Sequence, residues 1–209
     1  MKRMKTAAVA LAVTVTLGGA ASGTATAATD GGAQAQAAPT YKILKHLDYR
    51  GPGKASLRLG YYNASTDKGF GWTKVKKKHN ITKYSAVEYI AKSPNREHIG
   101  GQSYRQTGYA GKYRCTNGVC RLVKQYKVLL TVNEKKLRDN QDKGVITQYC
   151  VGITRCPNWV TKALAKANGR SVAAEGNDKY AAAYEPFARS LRAAEVKAGV
   201  NEKAVPAAR

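Results

Sequence analysis

The chain has 209 residues, with 36 Lys and Arg against 13 Asp and Glu, a formal net charge of +23. So few carboxylates argue against the acidic cluster of a Mg²⁺ nuclease. No P-loop, GxSxG elbow, HExxH run or deaminase zinc signature is present either. The charge instead selects polyanionic partners, and 13 tyrosines interleaved with the cations offer rings on which unpaired bases stack.

Residues 1–27 read as a secretory signal: Lys2, Arg3 and Lys5, an apolar run over 7–17, and the small-residue site Ala25-Thr26-Ala27. The run is too short to span a bilayer, so the expectation is cleavage near Ala27, secretion, and no stable membrane insertion. That leaves 182 residues at about +20, which suits one domain with tails. Residues 28–40 look like a flexible leader. Ile43, Leu44 and Leu47 predict a short helix over 41–48. Beyond the break at Gly51-Pro52-Gly53, Leu57, Leu59 and Tyr61 at period two predict an extended piece.

The stretch from Gly69 to His79 carries the densest chemistry. As a helix it places Trp72, Val75 and His79 on one side, with Lys76 one turn before His79 and Lys78 beside it on the neighbouring flank. An imidazole at the edge of an apolar face among ammonium groups suits an anionic substrate, and the positive charge should depress its pKa. A solvated basic helix with a core histidine would give the same pattern. A second helix is predicted over 85–92, with Ser85 and Glu88 as a capping box. Residues 95–101 read as a polar turn holding His98. Alternating runs over 103–109, 111–116, 119–132 and 144–151 predict antiparallel strands, and helix resumes over 158–168 and, Ala-rich, over 178–199. The expected class is α+β: N-terminal helices on one face of an antiparallel sheet of about four strands, with a C-terminal helical extension. The domain would span 41–157 and the extension 158–209.

Cys115, Cys120, Cys150 and Cys156 all fall in the exported part and predict two disulfides. Asn117-Gly118 favours a two-residue hairpin turn that sets Cys115 against Cys120, leaving Cys150 for Cys156. The spacings are not CxxC pairs, so no zinc is expected, and no other metal or cofactor.

RNA offers a route to cleavage without metal, because its 2′-OH can attack the adjacent phosphate. The protein must then supply a base, an acid for the leaving 5′-oxygen, and cations for the phosphorane oxygens. Lys76-x-Lys78-His79 on a helix, followed on a late strand by Gly144-Val145-Ile146-Thr147-Gln148-Tyr149, resembles the ribonuclease toxins of the barnase and colicin D type. The likeness covers about residues 69–151. It implies that 41–157 is a ribonuclease-like domain, with His79 as the acid–base group, Lys76 and Lys78 on the phosphate, Thr147 as the hydroxyl partner and Tyr149 at the family's aromatic position. The catalytic glutamate of barnase has no counterpart, since Glu88 falls on the second predicted helix. Lys74, Arg114, Arg121 and Lys124 are candidate contacts to the RNA backbone, and His46 and His98 leave room for a second histidine.

The expected activity is an exported, metal-independent endoribonuclease, a toxin acting on RNA such as tRNA and paired with an acidic immunity or inhibitor protein. The alternative is a non-catalytic cationic protein that binds an anionic cell-wall polymer or membrane. A disulfide-stapled inhibitor or a DNA nuclease is a weaker reading.

Overall fold

Pairing, more than helical periodicity, settles the first elements. The computed structural model describes residues 39–117, 119–167, 173–175, 178–187 and 190–192, all within the unit Ala37–Arg209. The expected signal peptide, most of the expected leader and residues 193–209 of the expected C-terminal extension lie outside the described residues. After a 3-10 turn at Pro39–Tyr41, β1 (Ile43–Asp48) pairs antiparallel with β2 (Lys54–Arg58), Leu47 opposite Ala55. The helix expected over 41–48 is thus a strand. Gly53, at φ 98°, turns the chain back, and the hairpin satisfies the backbone groups of both segments. The spacing of Ile43, Leu44 and Leu47 suits a short strand as well as a single helical turn.

A second hairpin, β3 (Tyr61–Asn63) with β4 (Lys68–Phe70), leads into α1 (Gly71–Lys77). α2 (Tyr84–Ala91) buries Ala86, Val87, Ile90 and Ala91. Its N-cap is Lys83, without a side-chain capping bond, so the capping box at Ser85 does not form. Glu88 instead pairs with Lys45 at 2.8 Å and Lys92 at 3.4 Å. Residues 96–100, expected as a turn, form β5 (Arg96–Gly100).

The long alternation builds the centre. β6 (Ser103–Thr116), read from sequence as two strands, is continuous, and pairs with β7 (Val119–Lys136) from Ser103–Asn133 to Thr116–Val119. β8 (Asp142–Cys150) lines the other edge of β7. α3 (Asn158–Ala167) follows, then β9 (Ala173–Glu175), β10 (Asp178–Ala183) and β11 (Ser190–Arg192). β5 and β10 pair with opposite halves of β6, β9 with β10, and β11 with the start of β7. All these pairs are antiparallel.

The fold class is corrected accordingly. The described residues hold eleven strands and three α-helices, not N-terminal helices on a four-stranded sheet with a helical extension. Alanine favours helix by propensity, but here Ala181 faces Gly111 and Ala182 faces Ala110 across β10 and β6. Tyr180 stacks on Trp159 of α3 with ring centroids 5.8 Å apart. Small residues and pairing override the local preference. α3 and β10 share the core of the earlier elements, through Val160, Leu164, Tyr180 and Ala182.

That core lies on one face of the central strands, where Ala110, Val128, Leu130, Val132, Val145 and Cys150 meet α2 and α3. Two buried glutamines on the same face bind α2: Gln106 Nε2 donates to Ala91 O at 3.4 Å and Gln148 Nε2 to Ala86 O at 3.2 Å. Arg58, fully buried, ties β2 to the loop before β8. It forms a bidentate pair with Asp139 at 2.7 and 3.0 Å and donates to Asp142 O. Cys115 pairs with Cys120 and Cys150 with Cys156, at Cα separations of 4.0 and 5.6 Å. Asn117, between the first two, takes the left-handed φ of 50° that a tight hairpin turn needs. Two disulfides suit an oxidising compartment. Among the described residues no helix is long and apolar enough to cross a membrane.

Candidate active site

The site begins where α1 stops. Asn80, at φ 61°, reverses the chain after His79, and the loop closed by Cys150–Cys156 packs against the reversal. Five hydrogen bonds stitch the two together: Cys156 N–H to His79 O at 3.0 Å, Asn80 Nδ2 to Cys156 O at 2.8 Å, Arg155 Nη1 to Lys77 O at 2.7 Å, Arg155 Nη2 to Asn80 Oδ1 at 3.4 Å, and His79 Nδ1 to Thr154 O at 2.9 Å. A carbonyl only accepts, so Nδ1 carries the proton and Nε2 keeps its lone pair. His79 is buried, with 6% of its surface exposed, and its ring lies 5.6 Å from that of Tyr149.

Burial is the largest force on this imidazole and holds its pKa below the ordinary value. The Thr154 hydrogen bond raises it, Lys78 and Lys74 lower it further, and Asp67 raises it in part. The net effect is a neutral ring with an unprotonated Nε2 near neutral pH. The depression expected from neighbouring charge comes first from desolvation.

The lysines near the ring differ in part from those named by the resemblance. Lys74 and Lys78, one helical turn apart, both act on His79. Lys78 pairs with Asp67, and burial followed by the Lys78 charge lowers the Lys74 pKa. Lys76 is exposed, about 100° round α1 from the buried Val75. The pair flanking His79 is therefore Lys74 and Lys78.

Thr147 and Tyr149 point away from the core, since Gln148 between them faces α2. Their cross-strand partners on that face are Thr131 and Leu129, and behind those lie Arg105 and Thr107. One row therefore runs Arg105–Thr131–Thr147 and the next Thr107–Leu129–Tyr149. In the first, Thr147 Oγ1 and Arg105 Nε are buried and have no hydrogen-bond partner among the described residues, while an Arg105 Nη lies 3.9 Å from Glu97. Such groups are costly to leave unmet, which makes the row a place where an anion would be welcome. Arg105 and Thr131 were missed in the sequence. The alternation Arg105, Thr107, Tyr109 was the available signal, but only the register assigns it to this face.

The other basic candidates lie elsewhere. Arg114 and Arg121 stand opposite each other near the β6–β7 turn. Arg121 is eight positions along β7 from Leu129, roughly 27 Å at the strand rise, and Lys124 is five positions away, roughly 17 Å. Arg114 lies 3.6 Å from Asp178, and Lys124 lies 5.5 Å from the Tyr126 ring. They form a separate basic arm. His46 is exposed on β1, and His98, on β5, meets Gly101 O at 2.7 Å. Neither joins His79.

Among the described residues no group of three or more His, Cys, Asp or Glu side chains is placed to hold a metal ion. The cluster can offer a proton acceptor, a phenol, hydroxyls and three cations. Comparison with family models, curated proteins and solved structures finds no match for the chain.

Proposed function

We propose that the protein is a secreted endoribonuclease that cuts RNA by 2′-OH transesterification without a metal. The observation that carries this reading is the tautomer of His79, fixed by Thr154 O, in a ring contact with Tyr149. His79 Nε2 takes the proton of the 2′-OH, and O2′ bonds to phosphorus. The P–O5′ bond breaks, and the 5′-oxygen leaves with a proton from the Tyr149 hydroxyl. The products are a 2′,3′-cyclic phosphate and a 5′-OH. Lys74, Lys78 and Arg105 offset the charge that gathers on the phosphorane oxygens, with Thr147 as a hydroxyl donor. An enzyme of this kind acts as a toxin on RNA such as tRNA, and its producer needs an inhibitor acidic enough to match the charge.

The test is incubation of the mature protein with total tRNA in EDTA beside His79→Ala. The wild type should cleave and the variant should lose roughly 100-fold or more. Cleavage by both or by neither counts against the assignment.

A second reading has its own observation. At the end of the β6–β7 hairpin, Val119 and Val123 are each 49% exposed beside Arg121 and Lys124. Apolar and basic groups together suit adsorption to an anionic polymer or membrane surface. That adsorption would be salt-sensitive and would survive His79→Ala.

A further inference from the structure

The Gly-Phe-Gly run ahead of α1 takes no part in the chemistry above, yet the structure builds it with care. Phe70 is buried, and the rings of Tyr41 and Tyr61 lie 5.7 and 5.8 Å from it. Both tyrosines remain open to solvent, at 42% and 45% exposure. The Lys143 ammonium sits 5.6 Å from the Phe70 ring. Exposed Lys42 and Lys68 are chain neighbours of the cluster.

The backbone beneath these rings is tightly drawn. Gly60 N–H donates to Thr40 O at 2.7 Å and Leu59 N–H to Lys42 O at 2.8 Å, tying the segment that carries Tyr41 to the corner that carries Tyr61. At Gly60, φ 65°, a Cβ would lie 1.8 Å from Phe70 O; at Gly69, φ 150°, a Cβ would lie 2.2 Å from Tyr61 O. Only glycine allows the two strands of this corner to meet so closely. The backbone that carries the rings is held in place before any ligand arrives.

We propose that the exposed rings of Tyr41 and Tyr61, braced by the buried Phe70 and joined by Lys143, form a stacking subsite for an unpaired base of single-stranded RNA. Flat exposed rings with adjoining ammonium groups match a base and its phosphate, and the net charge of +23 matches the strand as a whole. Phe70 caps the N-terminus of α1 and His79 follows its C-terminus, nine residues on and roughly 13 Å along the helix. One strand lying along α1 and β8 reaches both. The proposal rests on the ribonuclease reading and adds a second anchor to it.

The experiment measures anisotropy of a labelled, short 2′-O-methyl RNA, which lacks the nucleophile and so reports binding alone. The full mature protein is compared with Tyr41→Leu/Tyr61→Leu and Tyr41→Phe/Tyr61→Phe. The leucine pair should bind roughly tenfold more weakly, and the phenylalanine pair should match the wild type, because stacking needs a π face and not a hydroxyl. Binding of a B-form duplex should not change in either. Wild-type affinity in the leucine pair, equal weakening in the phenylalanine pair, or equal loss of duplex binding would each overturn the subsite. Ring-dependent binding by a protein that fails to cut tRNA in EDTA would uphold the subsite and sink the ribonuclease reading. Cleavage with ring-independent binding would do the reverse.

Discussion

His79 sits where a backbone carbonyl, burial and neighbouring charges decide its proton. Thr154 O takes the Nδ1 hydrogen, burial disfavours the imidazolium, and Lys74 and Lys78 disfavour it further. The histidine should therefore titrate below 6.5, observable as the midpoint of its ring-proton shifts in NMR. The same shift couples to folding. Below the ordinary imidazole pKa the unfolded chain binds a proton that the folded chain does not. This part of the stability is present above that value and is lost as pH falls through the folded pKa. A His79→Gln variant should show a flatter dependence of urea midpoint on pH as pH falls below the ordinary imidazole value of about 6.5; an unchanged slope contradicts the assignment. Among the lysines, Lys78→Ala should cut tRNA cleavage by at least roughly tenfold and Lys76→Ala by less than about threefold, by steady-state rates. Comparable losses in Lys76→Ala and Lys78→Ala would restore the pairing that the resemblance implied.

At the scale of elements, the two disulfides have separate consequences. Cys150–Cys156 closes the loop that presents Thr154 O and Arg155 to the end of α1. Cys115–Cys120 staples the far end of the β6–β7 hairpin. Removing either pair as serines should destabilise the fold by about 2 kcal/mol, measured by denaturant. Only Cys150→Ser/Cys156→Ser should also lower cleavage, by about tenfold, and move the His79 pKa toward the ordinary value. Equal activity in both variants would separate the loop from the site. The sequence shows much of this. Alternation marks β6, β7 and β8, Asn117-Gly118 marks their turn, and Thr147 and Tyr149 share a face because they are two apart. Thr154 is invisible at that stage, because a backbone carbonyl carries no residue signature. Arg105 is hidden for another reason: its row with Thr131 and Thr147 exists only once the register of three strands is known. The Ala-rich β10 misleads because its small side chains read as helix and act as spacers against Gly111 and Ala110.

For the whole molecule, helices α2 and α3 fill one face of the central sheet, and Leu130 lies in that core on the middle strand, fully buried. Leu130→Ala should cost about 3 kcal/mol by urea denaturation; a loss under about 1 kcal/mol would mean that this face is not the core. Packing on that side leaves the other face free to carry Arg105, Thr131, Thr147 and Tyr149, with His79 brought to its edge by the reversal at Asn80. One chemical claim depends on this division: the substrate supplies its own nucleophile, and His79 takes its proton. It is tested most directly with an oligodeoxynucleotide containing a single ribonucleotide, incubated in EDTA. One cut is expected, on the 3′ side of the ribonucleotide, leaving a 2′,3′-cyclic phosphate and lost in His79→Ala. Cleavage of the all-deoxy strand, or an undiminished cut by His79→Ala, would contradict it.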